Sequence, residues 1–347
     1  MSIRHRPMRP KDVRECVEIV ATHPIVAPRY GNGLADLRTA WLRVFSSNGF
    51  CSAVVFEEID DGAVRGRSPS RLVGMGVSVF VSDDFLRELK TRPSFWIGPE
   101  LARRVVRGDS PLLSEKQVRE ANSGPGLNLT VWQSCIRVED ADRADVWSEL
   151  MAAFMESHRG FRLNELSAQA DSPQHLDGMR NTGGHLFNFG DGCYGGYDEE
   201  GLSDVMLQPH IGGCTREIAQ SQLGSWTGSL FLYQPPQFGF SRSEQRLLLS
   251  ALAGGTDEDL SDELGVSLST IKKMWRSVYR RVGARNPELI PSDAHADGES
   301  SKRGRNKKQR LMAHLREHSE ELRPVSRKLL KHSAARGRGV RKDRAAS

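Results

Sequence analysis

No stretch of the chain approaches the roughly 18 consecutive apolar residues of a membrane span. The opening Met1-Ser2-Ile3-Arg4-His5-Arg6 is not followed by an apolar run of signal-peptide length either. These absences argue against insertion and secretion, so the expected location is cytoplasmic with no membrane partner. Cysteine is scarce. Cys16, Cys51, Cys135, Cys193 and Cys214 are odd in number, scattered, and include no Cys-x-x-Cys, a poor disulfide framework that suits a reducing compartment. Apolar residues are 38% of 347, and 33 glycines bring that share near the globular norm, so most of the chain can bury cores. The length exceeds an ordinary domain of about 100 to 200 residues and predicts two folded domains with a tail.

Charge is unevenly placed. Residues 301 to 347 hold 16 Lys/Arg against 4 Asp/Glu, leaving 33 against 40 in the first 300. A basic tail on an acidic body attracts polyanions, of which nucleic acid is the commonest in a cytosol; a merely solubilising tail is the plainer alternative.

The fold class expected is α+β multidomain. Residues 1–197 alternate helical and strand patterns and read as a mixed α/β sensor or interaction domain. Its elements are a helix near Pro10 to Ala21, paired strands over Cys51 to Glu58 and Leu72 to Val81 around a polar Gly62 to Ser70 loop, a strand over Leu127 to Val138, an amphipathic helix over Arg143 to Ser157 and a strand over Arg162 to Gln169. Residues 198–239, rich in Gly and Pro and containing Gln234-Pro235-Pro236-Gln237, read as a connecting segment. Residues 240–290 are purely helical in pattern, 291–306 are a polar linker, 307–323 an amphipathic helix, and 324–347 a basic, partly disordered tail.

The helical segment is the most specific. Thr256 with Asp259 three residues on forms a capping pair, Ser261 is small where a second helix would cross, and Gly265 opens a turn that Ser267 or Ser269 can cap. Beyond Ser269, one face carries Ile271, Met274, Val278 and Val282. The other carries Thr270, Lys272, Lys273, Arg276, Arg280 and Arg281, a basic surface able to enter a major groove. With Phe240 to Leu248, Leu260 to Gly265 and Val278 to Gly283, these residues resemble the LuxR/GerE-type helix-turn-helix over about 45 residues. That resemblance implies Ser241 to Ala253 as a supporting helix, Glu244 as a structural residue in it and Lys272 as a DNA contact. Glu258, Met274 and Ser261 depart from the family pattern, and Pro287 and Pro291 leave barely one turn for its usual dimerising helix.

In 307–323, Leu311, Leu315, His318 and Leu322 form a stripe, while Lys307, Lys308 and Arg310 at the start and Glu320 and Glu321 at the end oppose the helix dipole. Such a helix needs a surface to fold against, on a second subunit or on its own. A homodimer is therefore one open state. Arg336 to Arg344 read as a phosphate-seeking arm.

At the N-terminus, Arg6-Pro7-Met8-Arg9-Pro10-Lys11-Asp12-Val13 and Leu72-Val73-Gly74-Met75-Gly76-Val77 look like the opening and central strand of the GNAT acetyltransferase fold. Its acyl-CoA loop, Arg/Gln-x-x-Gly-x-Gly/Ala, is represented only by a fragment, Arg104 to Gly108, so a helix N-terminus ready for diphosphate is missing. Gly190-Asp191-Gly192-Cys193-Tyr194-Gly195 spells Gly-x-Gly-x-x-Gly without a following helix and reads as a glycine turn. His185, Cys193, His210 and Cys214 match no structural zinc spacing.

Two functions follow. The first is a LuxR-type transcription regulator that binds double-stranded DNA through Ser269, Thr270, Lys272, Lys273, Arg276, Arg280 and Arg281, with a non-enzymatic N-terminal domain receiving a small-molecule or protein signal, and with no catalytic residue, cofactor or metal. The alternative is an acyl-CoA-dependent GNAT-like acetyltransferase fused to a DNA-binding domain.

Overall fold

The computed structural model describes residues 2–47, 49–58, 70–170, 172–195, 207–252, 254–290 and 300–324. Most of the expected loop before Ser70, the linker from 291 to 299, and the tail from 325 with its Arg336 to Arg344 arm lie outside the described residues. The chain divides into two compact units, Met1–Leu232 and Tyr233–Ser347.

The first unit is built on an eight-stranded mixed sheet. In chain order its elements are β1 (Ser2–Pro7), α1 (Val13–Thr22), α2 (Ala27–Tyr30), α3 (Leu34–Val44), β2 (Phe50–Glu58), β3 (Ser70–Val81), α4 (Asp83–Leu89), α5 (Ile97–Arg107), α6 (Glu115–Ser123), β4 (Leu127–Ile136), α7 (Ala144–His158), β5 (Leu163–Ala170), α8 (Pro173–Asn181), β6 (His185–Asn188), β7 (Cys193–Gly195), β8 (His210–Thr215), α9 (Arg216–Ser221) and α10 (Trp226–Leu230). The strands lie in the order β1-β2-β3-β4-β5-β8-β6-β7. Every pairing is antiparallel except β4 with β5.

Strands β2 and β3 are apolar on both sides because helices cover both faces. On one, Val54, Met75 and Val77 join Ile19, Leu37, Trp41 and Leu101 in the main core. On the other, Val55, Val73 and Ile136 pack against Val146 and Leu150 of α7. A sheet covered twice holds its middle strands rigidly, and those strands carry the cavity described below.

The segment 198–239, expected as a connection, contributes β8 to the sheet between β5 and β6. Its glycines explain the difference. A Cβ on Gly212 would overlap the Met179 sulfur, and one on Gly213 the Leu166 carbonyl oxygen, so this strand needs glycine where neighbouring atoms approach closely. The expected glycine turn is the hairpin joining β6 to β7.

The second unit comprises α11 (Arg242–Leu252), α12 (Asp257–Leu264), α13 (Leu268–Arg285) and α14 (Ser300–Glu317), with a 3-10 turn at Ser319–Leu322. Thr256 and Asp259 cap α12 reciprocally, Gly265 ends it at φ 64, and Ser267 caps α13. Trp275, rather than Met274, fills the core beside Ile271, Val278 and Val282, leaving Met274 half-buried. Leu311, Leu315 and Leu322 join that same core. The α14 stripe is therefore satisfied within its own unit, and the misplaced Lys308 is compensated by Asp257 at 3.1 Å and the Trp275 ring at 4.9 Å. The buried Glu321 carboxylate accepts the Gln237 and Phe238 amides at 2.7 and 2.9 Å. No described helix is long and apolar enough to cross a membrane.

Candidate active site

Parallel pairing of β4 with β5 runs only from Leu127–Leu163 to Thr130–Ser167, where the two hydroxyls meet at 2.8 Å. Beyond that point β4 turns aside. Its register with β3 shifts between Val77 and Ser78, with Gln133 opposite the first and Val131 opposite the second, so Trp132 is an extra residue, a bulge that bends the strand. Among the described residues no backbone hydrogen bond joins Val131 to Ile136 with Ala168 to Ala170. The inner edges of the two parted parallel strands thus face one another, among the described residues, without the backbone pairing that joins neighbours in a sheet.

Two buried amide side chains hold this gap open from one face. Gln169 on β5 accepts the Ile97 backbone N–H at 2.7 Å and donates to the Phe95 carbonyl at 2.8 Å, tying down the start of α5. Gln133 on β4 accepts the Tyr30 hydroxyl at 3.0 Å, and the Trp132 indole donates to the Gly98 carbonyl at 3.0 Å. Glycine is required at 98, because a Cβ there would overlap the Tyr30 hydroxyl. Each of these amides left unpaired would cost about 1 to 3 kcal/mol, so the four residues fix α2 and α5 over the parted strands.

A small cavity of about 20 Å³ lies in the gap, between Tyr30, Trp96 and Gly98 on one side and Val131, Gln133 and Gln169 on the other, with His175 of α8 and Arg29 also lining it. The Arg29 guanidinium stacks 4.0 Å over the Trp96 ring. Tyr30, Trp96 and Pro99 also wall a larger open cleft of about 520 Å³ on the helical side. Phe95 lines that cleft, with Asp36, Glu100, Arg103 and Arg107. Glu100 is paired with Arg103 and with Arg104, the latter at 2.6 Å. Those bonds outweigh the burial that opposes its charge and hold its carboxyl below the usual range. Among the described residues Asp36 forms no such ion pair, and it also lines the cleft.

At the junction between β4 and α7 the charged groups are already engaged with one another. Arg71 bonds Asp140, Glu139 and Glu57 at 2.9, 3.3 and 3.3 Å. Arg143 bonds Asp145, Glu57 and Asp140 at 2.9, 3.0 and 3.1 Å. The bonds to Asp145 and Glu57 raise the Arg143 pKa, and Arg143 in turn lowers that of Asp145. Four carboxylates thus surround two guanidinium groups that are already engaged, and Asp142 is exposed in the same turn. Asp145 also takes the Val146 N–H at 3.0 Å, a donor that an anion at the start of α7 would need. Arg104 to Gly108, the fragment of an acyl-CoA loop, instead closes α5 with Gly108 at φ 94. An anion such as a diphosphate therefore does not fit this junction.

Two other buried polar groups lie outside both cavities. His158, bonded by the Phe154 carbonyl at Nδ1, faces the Ser78 hydroxyl at 2.6 Å. Glu165 on β5 accepts the Tyr194 hydroxyl at 2.8 Å and pairs with Lys90. Among the described residues no three His, Cys, Asp or Glu side chains converge as a metal site, so His185, Cys193, His210 and Cys214 are not brought together.

Of the residues expected to meet DNA, Ser269, Lys272, Lys273, Arg276 and Arg280 are exposed on α13. Thr270 is half-buried against the Ser267 hydroxyl at 3.0 Å. Arg281 lies 3.1 Å from buried Glu244, which also accepts the Ser241 N–H and the Ser277 hydroxyl at 2.8 and 2.9 Å. Tyr30, Asp36, Gln133 and Gln169 carry no motif. Gln133 and Gln169 show only as amides inside strands otherwise apolar enough to be buried, and Tyr30 and Asp36 give no local signal.

No family model matches the chain, and no curated protein matches it. Among solved structures, its N-terminal part is similar to a histone acetyltransferase HPA2 and related acetyltransferase from Corynebacterium glutamicum, at 11% identity and a TM-score of 0.34, covering 61% of this chain and 95% of that one. It is also similar to the aminoglycoside acetyltransferase AAC(6')-Ib in complex with coenzyme A and kanamycin, at 12% identity and a TM-score of 0.32, covering 64% and 99%. These neighbours are acetyltransferases. They stand against two expectations from the sequence, that the chain is a LuxR-type transcription regulator and that its N-terminal domain is not an enzyme.

Proposed function

We propose that the chain is a GNAT-like acyltransferase carrying an accessory DNA-binding unit, and that its first unit moves an acyl group from a thioester to an amine. The observation that carries this reading is the early end of the β4–β5 pairing, which opens a cavity between parted strands beside a cleft able to seat an acceptor. An extended ligand with amide groups can complete two such strand edges, as peptides do at sheet edges. A pantetheine thioester is an acyl donor of that shape.

The acceptor is a primary amine held by Asp36 against Phe95 and Trp96. In the transfer the ammonium first gives one proton to water, the neutral nitrogen attacks the thioester carbonyl, the carbon–sulfur bond breaks, and the second proton lost by the nitrogen ends on the departing thiolate. His175, lining the cavity, is the side chain placed to relay that proton. The test is thiol release by the full chain supplied with S-acetylpantetheine and a panel of amines. Amine-dependent release abolished by Gln133→Leu supports the reading; no release above the uncatalysed rate with any amine refutes it.

For the second unit, the partner is double-stranded DNA, met by the exposed Ser269, Lys272, Lys273, Arg276 and Arg280 face of α13. Arg281 serves there as the partner of Glu244. Binding of duplex DNA should fall with salt, and Lys272→Ala with Lys273→Ala should lower the slope of log K against log salt by about two. An unchanged slope would remove this helix from the interface.

A further inference from the structure

We propose that this chain recognises its acyl donor through the pantetheine arm alone, with the junction between β4 and α7 closed to a nucleotide diphosphate. The inference rests on the acyltransferase reading and narrows the donor class within it.

Charge and occupied donors close the junction. A diphosphate is bound where backbone N–H groups and cations stand free at a helix start. Here Val146 N–H is taken by Asp145, and Trp147 N–H by the Arg143 carbonyl. Both arginines of the junction already bridge carboxylates: Arg71 holds Glu57, Glu139 and Asp140, and Arg143 holds Glu57, Asp140 and Asp145. Asp140 and Glu57 are buried at 3% and 8% exposure, so they stay in place as an anion approaches. Freeing either guanidinium would strand a buried carboxylate, an unfavourable exchange. A diphosphate would add charge of the same sign to a surplus of carboxylates. By contrast, among the described residues no Asp or Glu side chain lines the cavity between β4 and β5, where the arm is proposed to enter. The nucleotide end of coenzyme A therefore contributes no attraction, and the donor is a thioester on a pantetheine arm whose distal end lies elsewhere.

Steady-state transfer by the full chain should be compared for S-acetylpantetheine and acetyl-CoA, alongside calorimetric binding of pantetheine and coenzyme A. We expect kcat/KM for acetyl-CoA to be equal to or below that for S-acetylpantetheine. Raising salt should improve binding of coenzyme A while leaving pantetheine unchanged, since screening weakens repulsion. Asp142→Arg, at an exposed position, should lower the KM for acetyl-CoA at least fivefold and leave S-acetylpantetheine unaffected. A tenfold or greater preference for acetyl-CoA that weakens with salt overturns the inference while leaving the acyltransferase reading intact. If both thioesters fail, the reading itself falls, and the inference with it.

Discussion

The Tyr30 hydroxyl donates to Gln133 Oε1 at 3.0 Å, joining residues 103 apart in sequence across the gap between the helical layer and β4. Both are buried, at 4% and 6% exposure. One bond thus sets the position of α2 over the parted strands and closes one wall shared by the cavity and the cleft.

Gly98→Ala tests that wall directly. The new methyl group would overlap the Tyr30 hydroxyl, so Tyr30 must move and Gln133 lose its donor. A stability loss of about 1 to 3 kcal/mol is expected, read as a shift in denaturation midpoint, together with a lower kcat in the thiol-release assay. Unaltered stability and kcat would show that the contact is idle.

Asp36→Asn separates acceptor binding from folding. Asp36 is half-buried in the cleft, and removing its charge should raise the KM for a cationic amine about tenfold, equivalent to about 1.4 kcal/mol. The melting temperature should hardly change. A fall in kcat at constant KM would assign Asp36 a different role.

Glu165→Gln should be severe. The carboxylate is 6% exposed, accepts the Tyr194 hydroxyl and pairs with Lys90, whose ammonium lies about 5 Å from the Phe187 and Tyr194 rings. Breaking a buried pair from one side costs about 3 to 5 kcal/mol because the other charge is stranded. The double variant Lys90→Met, Glu165→Gln should recover part of that loss. Additive losses in urea denaturation would show that the two side chains are not coupled.

His5 supplies a pH dependence of stability. Its ring bonds Glu156 at 2.8 Å and Glu149 at 2.7 Å, and these bonds, Glu156 foremost, raise its pKa above 6.5 against the opposing effect of burial. A raised folded value means the contribution is complete below about 6.5 and disappears as pH rises through the folded pKa. His5→Gln should therefore cost stability at pH 5.5 and cost little at pH 9. An equal loss at both values would point to packing instead of charge.

Much of the architecture was legible in the residues themselves. Continuous apolar runs mark β2 and β3, alternating apolar positions mark β4 and β5, and the Val146, Leu150 and Ala153 stripe marks α7, because burial acts locally on one chain segment at a time. The capping pair at Thr256 and Asp259 and the glycine at 265 mark α12 for the same local reason. β8 was hidden because Gly212 and Gly213 serve close packing across the sheet, and to a composition reading such glycines look like a loop.

The site was decided only on folding. Gln133, Gln169, Tyr30 and Asp36 come from four separate segments, and nothing local distinguishes a strand glutamine that braces a cavity from one that faces solvent. The acidic character of the β4–α7 turn is visible in Glu139, Asp140, Asp142 and Asp145. That its arginines are already occupied depends on Glu57 and Arg71, brought there by β2 and β3. Local chemistry determines which elements form, whereas the parting of two strands and the ownership of each charge depend on contacts between distant residues, which exist only once the sheet has closed.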